Sequence, residues 1–347
     1  MGSFTAQQIE NLMQASLDFH WSKNTIFSQT IQEKPLLKAL NAKKKTAPGG
    51  KENITVRVKG QYGTTIQGFE NDDTVSYGNP GFLKTAKYPW KLIHFGISVP
   101  HHELIANGIS VVKNGQTVEH GKRDLVALAN IFDDKVEDMM EGGERGMNEM
   151  YWKDGAQDSK VVPGLQSFIL DDPTSATIVG GLDQSVNTWW RNRASLGLNA
   201  GTPSNLVLSR TMQQEFRQLR RYGKPKHLML CGSDWMDAVE QELRSKGDFT
   251  NRGWANSTSK TIDLSVDDPS FKGVTMEYDP TLDDMSKAKY CYVLDMNVIY
   301  PMPIDGEDMK DHSPERPAEK YVLYKAKTWV GGLVCRQRNT SGVYSIA

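Results

Sequence analysis

Two segments in the first hundred residues alternate apolar and polar positions and predict β-strands. They are NITVRVK (53–59) and IHFGISV (93–99), in which every second residue is apolar, the period of a half-buried strand. The stretch between them carries five glycines together with NDD and NPG, which is too long for a tight turn and too rich in breakers for a helix. We therefore predict an extended two-stranded loop. It needs a partner surface, because an isolated hairpin is only marginally stable in water.

A longer apolar stripe predicts a helix over 122–152. Its positions recur at steps of three or four residues over 26 residues, which describes one face of a continuous helix of about 40 Å. Glycines at 142, 143 and 146 each lower the helix propensity by about 1 kcal/mol relative to alanine. Packing must compensate, or the helix bends there. The stripe consists of Leu125, Leu128, Phe132, Val136, Met139, Gly143, Met147 and Met150.

Shorter units in the second half of the chain predict a small α/β domain. They are a strand in NLVLS (205–209), a helix in TMQQEFRQLRRYG (211–223), a strand in HLMLCG (227–232) and a helix in SDWMDAVEQELRSKG (233–247). The predicted core faces of the two helices are Met212, Phe216 and Leu219, and Met236, Val239 and Leu243. Strand patterns return in GVTMEYD (273–279), YCYVLDMNVIYPM (290–302) and YVLYKAKTWVGGLVCRQR (321–338).

The first 50 residues predict an arm rather than a domain. One short helical stripe, IENLMQASLDF (9–19), precedes NAKKKTAPGGKEN (41–53), whose composition is that of a flexible linker. Such an arm cannot fold alone. We expect it to lie on the rest of the chain or on a neighbouring chain.

Charge and cysteine content narrow the functional classes. The 41 Lys and Arg residues balance 42 Asp and Glu residues, so bulk electrostatic attraction to nucleic acid is not expected. Cys231, Cys291 and Cys335 are too far apart for a metal knuckle and odd in number for a disulfide framework. The N-terminus is too polar for a secretory signal, and no apolar run is long enough to span a membrane. We expect a soluble protein of a reducing cytosol.

No motif indicates a cofactor or metal site. GQTVEHGKR (115–123) departs from a P-loop, because five residues separate its glycines and Arg123 replaces the magnesium-binding Ser or Thr. The histidines form no HExxH motif, and His101 and His102 more naturally begin a short helix in HHELIAN. We expect neither a cofactor nor a metal.

The best candidate nucleophiles lie in CGSDW, after a predicted strand. Cys231 or Ser233 at a strand-to-helix turn would have backbone amides nearby that could stabilise an oxyanion. Ser233 is also the preferred residue type for a helix N-cap, and Asp234 and Asp237 suit the first helical turn. We favour the capping role, and a hydrolase-like enzyme remains an alternative.

Two adjacent tryptophans next to arginines stand out in GGLDQSVNTWWRN (180–192). Trp189, Trp190, Arg191 and Arg193 could stack on nucleic acid, which normally requires several aromatic residues in a basic groove. The surrounding sequence is not basic enough for that. Burial in a core or a protein interface is favoured, since Trp and Arg are enriched in protein contacts, and a nucleic-acid-binding module is kept as the second alternative.

The order of these parts resembles that of tailed-bacteriophage major capsid proteins, whose fold is shared with the floor of the herpesvirus capsid. The similarity spans nearly the whole chain, and its specificity comes from the order and spacing of the parts. The segments that carry it are the arm, the extended loop, AKYPWKLIHFGISVPHHELIANGI (86–109), the long helix, VPGLQSFI (162–169), GGLDQSVNTWWRN, the α/β lobe and the final return strand.

The resemblance implies an α+β shell subunit whose arm and loop reach over neighbouring subunits. Gly180, Gly181, Trp189 and Trp190 then belong to the segment that enters the axial domain, where the tryptophans anchor fold and packing. The implied parts are an N-terminal arm (1–50), an extended loop (51–97), a peripheral domain with a spine helix at 122–152 (98–165), an axial domain (166–294) and return strands of the peripheral domain (295–347).

The function that the resemblance implies is structural, without catalysis. The subunit would assemble into pentamers and hexamers of an icosahedral head that encloses phage DNA, in the cytoplasm of a bacterial host, and would end in the virion. The implied partners are further copies of the chain, a scaffolding protein, a portal protein and non-specifically bound double-stranded DNA. A decoration protein is an optional further partner, and no membrane is implied.

Two features depart from some members of this family. Some carry a helical scaffolding region ahead of the arm, whereas this arm begins at residue 1, so we expect a separate scaffolding protein. Some crosslink covalently through a loop lysine, and nothing marks Lys59, Lys84 or Lys87 for that chemistry.

A lysine triplet in the arm is a further candidate for an interaction site. We hypothesise that Lys43, Lys44 and Lys45 touch DNA or scaffold. With Trp189, Trp190, Arg191 and Arg193, they are the residues that we place at an interface or near DNA.

Overall fold

The computed structural model describes residues 32–64, 66–78, 83–100, 122–223, 225–246, 269–312 and 322–347. Within these ranges the α-helices are α1 (Pro35–Asn41), α2 (Lys122–Trp152), α3 (Leu165–Phe168), α4 (Val207–Leu219), α5 (Ser233–Lys246) and α6 (Pro280–Asp284). The strands are β1 (Asn53–Lys59), β2 (Leu83–Pro89), β3 (Lys91–Pro100), β4 (Ile178–Val179), β5 (Leu182–Asp183), β6 (Arg193–Leu198), β7 (His227–Cys231), β8 (Ser270–Phe271), β9 (Val274–Tyr278), β10 (Tyr290–Asp295), β11 (Ile299–Pro303), β12 (Lys310–His312), β13 (Val322–Cys335) and β14 (Gly342–Ile346).

Three sequence predictions fall outside these ranges. They are the helical stripe at 9–19, the short helix in HHELIAN, and nearly all of GQTVEHGKR. Within the described ranges, the chain divides into two compact units. The first comprises residue 32, 92–147 and 303–330, and the second comprises 33–91, 148–302 and 331–347.

The first unit packs strands β3, β12 and β13 together with most of α2. β12 pairs antiparallel with β13, and β3 also pairs with β13. Val136 and Met139 of α2 are buried against Phe95 and Ile97 of β3. A Cβ at Gly143 would lie 2.9 Å from the Phe95 ring, so this helix glycine permits a close approach of the strand. The predicted helix over 122–152 is confirmed.

The second unit is built on a six-stranded mixed sheet in the order β6-β14-β10-β7-β9-β8. The β14–β6 and β7–β9 pairs are parallel, whereas β10 pairs antiparallel with both β14 and β7. Helices α4 and α5 cover one face and form a hydrophobic core with it. The predicted α+β class is confirmed. Residues 342–346, which the sequence analysis grouped with the return strands, form an internal strand of this sheet.

The prediction of a strand in NLVLS is wrong, because Val207–Leu219 is helical. The buried carboxylate of Glu242 on α5 accepts the backbone N–H groups of Leu208 and Ser209 at 2.7 and 3.0 Å. It thereby satisfies donors that a helix start leaves unpaired. A side chain 33 residues further along supplies this cap, so local sequence could not reveal it.

The core face of α4 is as predicted, whereas that of α5 is rotated. Met212, Phe216 and Leu219 are fully buried. On α5 the buried side chains are Trp235, Ala238 and Glu242. The predicted Met236, Val239 and Leu243 are only partly buried. The rotated face buries the Trp235 ring and turns Glu242 inward, where it caps α4.

The extended loop is two-stranded at its base, but β3 is not the second strand. β1 pairs antiparallel with β2, in the register Val56 opposite Ala86 and Ile54 opposite Tyr88. The pattern missed β2 because its buried face consists of only Ala86 and Tyr88, set in a lysine-rich segment. β1 itself is confirmed, and so is the strand at 93–99, as part of β3.

Of the described helices, none has the length and apolar character needed to cross a bilayer.

Candidate functional site

The two tryptophans lie in a short 3-10 turn, Thr188–Trp190, and have different environments. Trp190 is 1% exposed, and its indole N–H donates to the carbonyl of Val179 at 3.1 Å. Trp189 is half-buried, and its ring packs at an angle of 64° on that of Trp190. Only Trp189 therefore offers ring surface to another group.

Both arginines that follow the tryptophans, Arg191 and Arg193, form hydrogen bonds with nearby protein groups. Arg191 donates from Nε to the carbonyl of Gln184 at 2.8 Å and from Nη2 to that of Ser185 at 3.0 Å. Arg193 makes two 2.8 Å bonds to the carboxylate of Glu215, and these hydrogen bonds raise its pKa. The structure brings the four predicted residues together, but in an arrangement that fixes the local fold and leaves no row of free stacking faces.

Arg338 lies beneath this segment and was missed by the sequence analysis. Its guanidinium is almost fully buried and donates to the carbonyls of Phe168 and Trp190 and to the side chains of Gln184 and Asn192. Burial lowers its pKa to about 10, so the group stays charged at neutral pH. The role depends on long-range neighbours, and no sequence motif marks it.

The base of the extended loop lies directly on Trp189. A Cβ at Gly60 would overlap the indole ring, so only glycine allows the backbone this close. The following turn places the Lys59 ammonium 4.7 Å from the centre of the Tyr62 ring. On β2, Lys84 Nζ donates to Asn187 Oδ1 at 2.7 Å, and the backbone N–H of Lys87 donates to Gly180. The loop is therefore anchored at several points to residues 180–192, which we call the tryptophan segment.

A cavity of about 420 Å³ opens at this junction, and we call it the basic pocket. Four basic side chains and several aromatic rings line it, and none of its described lining residues is acidic. Lys59, Arg221 and Arg336 are exposed at its edge, whereas Arg338 forms its floor. The lining residues are Val58, Lys59, Gly60, Tyr62, Trp189, Trp190, Arg221, Tyr222, Gly223, Arg336, Gln337, Arg338 and Asn339.

The candidate nucleophiles lack the environment that catalysis requires. Cys231 is fully buried, with its Sγ 3.2 Å from that of Cys291, and burial raises its pKa well above the usual value. A nucleophilic cysteine needs the opposite shift and access to solvent. Helix α5 begins at Ser233 itself, whose backbone N–H donates to Asp283 Oδ1 at 3.0 Å. Asp283 therefore takes the capping role that we assigned to the Ser233 side chain.

The lysine triplet of the arm lies beside β11. The backbone N–H of Lys45 donates to the carbonyl of Pro301, and its ammonium lies 4.2 Å from the centre of the Tyr300 ring. Lys44 and Lys45 are exposed and Lys43 is half-buried. Their proposed contact with DNA or scaffold stays a prediction. In the part of the chain that the structure describes, no three His, Cys, Asp or Glu side chains are placed to hold a metal ion.

The chain matches no family model and no curated protein, but it is similar to solved structures over nearly its full length. A chain of the cyanophage A-1(L) capsid asymmetric unit aligns with a TM-score of 0.61 at 13% identity, covering 93% of this chain and 94% of that one. A capsid chain of Myoviridae phage XM1 gives 0.53 at 11% identity, covering 93% and 95%. A capsid chain of a native GTA particle gives 0.52 at 10% identity, covering 94% and 96%. The chain therefore has the fold of these capsid chains.

Proposed function

We propose that the chain is a major capsid subunit, which assembles into pentamers and hexamers of an icosahedral head around phage DNA. One observation carries the proposal: the alignment with the cyanophage A-1(L) capsid chain covers more than nine-tenths of both chains. A shared fold over part of a chain could reflect a common domain with another use. Agreement over nearly the whole of both chains favours a shared use as well as a shared fold.

The surface of the extended loop supports an assembling subunit. Tyr62, Ile66, Phe69 and Tyr77 are all more than two-thirds exposed. Several large and highly exposed apolar side chains on one loop are uncommon on a monomer and typical of a protein contact. In this proposal, the arm (1–50) and the loop (51–97) reach over neighbouring subunits, and the axial domain (166–294) lies around fivefold and sixfold positions.

The remaining partners follow from the same role. A scaffolding protein guides assembly in the cytoplasm of the bacterial host, a portal protein occupies one vertex, and double-stranded DNA is enclosed non-specifically. The near-neutral charge of the chain suits this role, because a strongly basic inner wall would hold DNA too tightly. The mature location is the virion.

The enzyme alternative can be separated from the capsid role by one double substitution. We expect Cys231→Ala with Ser233→Ala to leave shell assembly intact, apart from a modest loss of stability from the cavity beside Cys291. Circular dichroism would verify folding, and electron microscopy would score shells in the variant and the unmodified chain. Loss of a measurable hydrolytic turnover in the folded variant would favour the enzyme instead.

A further inference from the structure

The far end of the extended loop is an ordered acidic turn, which we call the acidic tip (66–77). The backbone N–H of Asp73 donates to the carbonyl of Glu70 at 3.0 Å, and that of Glu70 donates to Asp73 Oδ2 at 2.9 Å. The side chain of Gln67 bridges to Thr74 and Ser76 on the other side. Glu70, Asp72 and Asp73 are exposed, and no Lys or Arg occurs between Lys59 and Lys84. The tip thus combines three negative charges with exposed apolar side chains.

The basic pocket at the opposite end of the loop has complementary chemistry. Arg221 and Arg336 extend into solvent at its edge, and no described lining residue neutralises them. Tyr62 and Tyr222 add exposed ring surface. Arginine with aromatic residues is the combination that contributes most to protein interfaces, and the positive edge would attract a carboxylate-rich segment.

The tip cannot reach the pocket of its own chain. Tyr62 lines the pocket, whereas Asp72 lies ten residues further along the loop. The two sides of the loop run together between these points. The backbone N–H of Ser76 donates to Gln67 Oε1 at 3.1 Å, and a Cβ placed on Gly78 would lie 3.6 Å from the carbonyl oxygen of Gly63. Because the paired sides keep the loop extended, at about 3.3 Å per residue the tip lies roughly 20 Å from the pocket. Any contact between tip and pocket must therefore join two copies.

We propose that the acidic tip of one copy of the chain docks into the basic pocket of a second copy, with Asp72 and Asp73 facing Arg221 and Arg336. The inference deepens the proposed capsid function and rests on it. The contact uses two different patches, so it is heterologous, and heterologous contacts close into rings when the rotation permits. A nucleic acid in the pocket would leave the apolar residues of the tip uncovered, so the peptide is the favoured occupant.

Site-directed disulfide crosslinking tests the contact in the full-length protein. One variant carries Asp72→Cys and the other Arg221→Cys, and the three native cysteines are buried. After the two are coexpressed and mildly oxidised, we expect a covalent dimer that is at least about tenfold more abundant than in the matched control of Asp72→Cys with Gln157→Cys. Residue 157 is exposed and does not line the pocket. Equal dimer yields in the two mixtures would overturn the proposal.

Electron microscopy of the same mixtures separates this inference from the capsid role. Shells with the specific crosslink support both ideas, and shells without it leave the capsid role standing while the docking fails. If no shells form, the crosslink yield at high protein concentration still decides the docking by itself.

Charge reversal supplies an independent readout. Asp72→Lys with Asp73→Lys, or Arg221→Glu with Arg336→Glu, should each raise the protein concentration needed for assembly by about tenfold or more, because like charges then face each other. Combining all four should restore assembly to within about threefold of the unmodified chain. If only the pocket variant matters and it loses salt-dependent DNA binding, the pocket serves nucleic acid and the proposal is wrong.

Discussion

Gly60 is the residue at which the extended loop and the tryptophan segment come closest. Its backbone lies against the face of Trp189, where a Cβ would overlap the ring. We expect Gly60→Ala to lower the free energy of unfolding by about 1 to 3 kcal/mol, the usual cost of overpacking. Gly68→Ala is the matched control, because nothing lies within 4 Å of its Cβ position. Urea unfolding of both variants measures the difference, and equal stabilities would show that the loop base is not fixed on Trp189.

His227 gives the fold a specific sensitivity to acid. The imidazole is partly buried beside Phe216, and burial lowers its pKa below the usual 6.5, against the opposing effect of Asp295. Below pH 6.5 the unfolded chain therefore takes up a proton more readily than the folded chain, so stability is lost as the pH falls. We expect His227→Gln to show a smaller loss of melting temperature between pH 7 and pH 5 than the unmodified protein. If the melting temperatures of the variant and the unmodified protein fell equally with pH, His227 would not be the source of the acid sensitivity.

At the scale of elements, periodicity predicted the structures that are locally determined. The helix over 122–152 and strands 53–59 and 93–99 follow from apolar spacing alone, and the structure confirms them. The start of α4, the buried face of α5 and the existence of β2 depend on partners that are distant in sequence. Glu242 illustrates the reason. A glutamate in a helix suggests a solvent-exposed position, but this carboxylate is buried and caps the start of α4.

The capping role of Glu242 is directly testable. Glu242→Ala removes the acceptor for two N–H groups and one hydroxyl at the start of α4. We expect unfolding free energy to fall by about 2 kcal/mol, at the upper end for a cap because the site is buried. Glu240→Ala on the same helix is the control, since its ion pair with Arg244 lies at the surface, with the Arg244 side chain mostly exposed, and contributes under about 1 kcal/mol. Similar losses in the two variants would exclude a special role for Glu242.

The candidate site was predictable only in part. A buried Trp190 agrees with the preference for burial that the sequence indicated. The basic pocket could not be predicted, because Lys59, Trp189, Arg221 and Arg336 come from separate segments that meet only after folding. Each of these residue types is common on protein surfaces, so their positions in the sequence do not reveal that they line one pocket.

At the scale of the whole molecule, the account depends on assembly. The chain has the fold of capsid chains, exposes apolar residues along its loop, and has a cavity lined by basic residues at the loop base. Assembly of several copies of the chain would explain each of these features. Among the described residues, we find no group of side chains arranged for catalysis.

The most direct test is electron microscopy, with light scattering, of the full chain expressed alone and beside a scaffolding protein. The account predicts closed hollow shells, or rings of five and six subunits, in at least one of these preparations. A uniform population of monomers or small oligomers in both, at every protein concentration, would contradict the central claim.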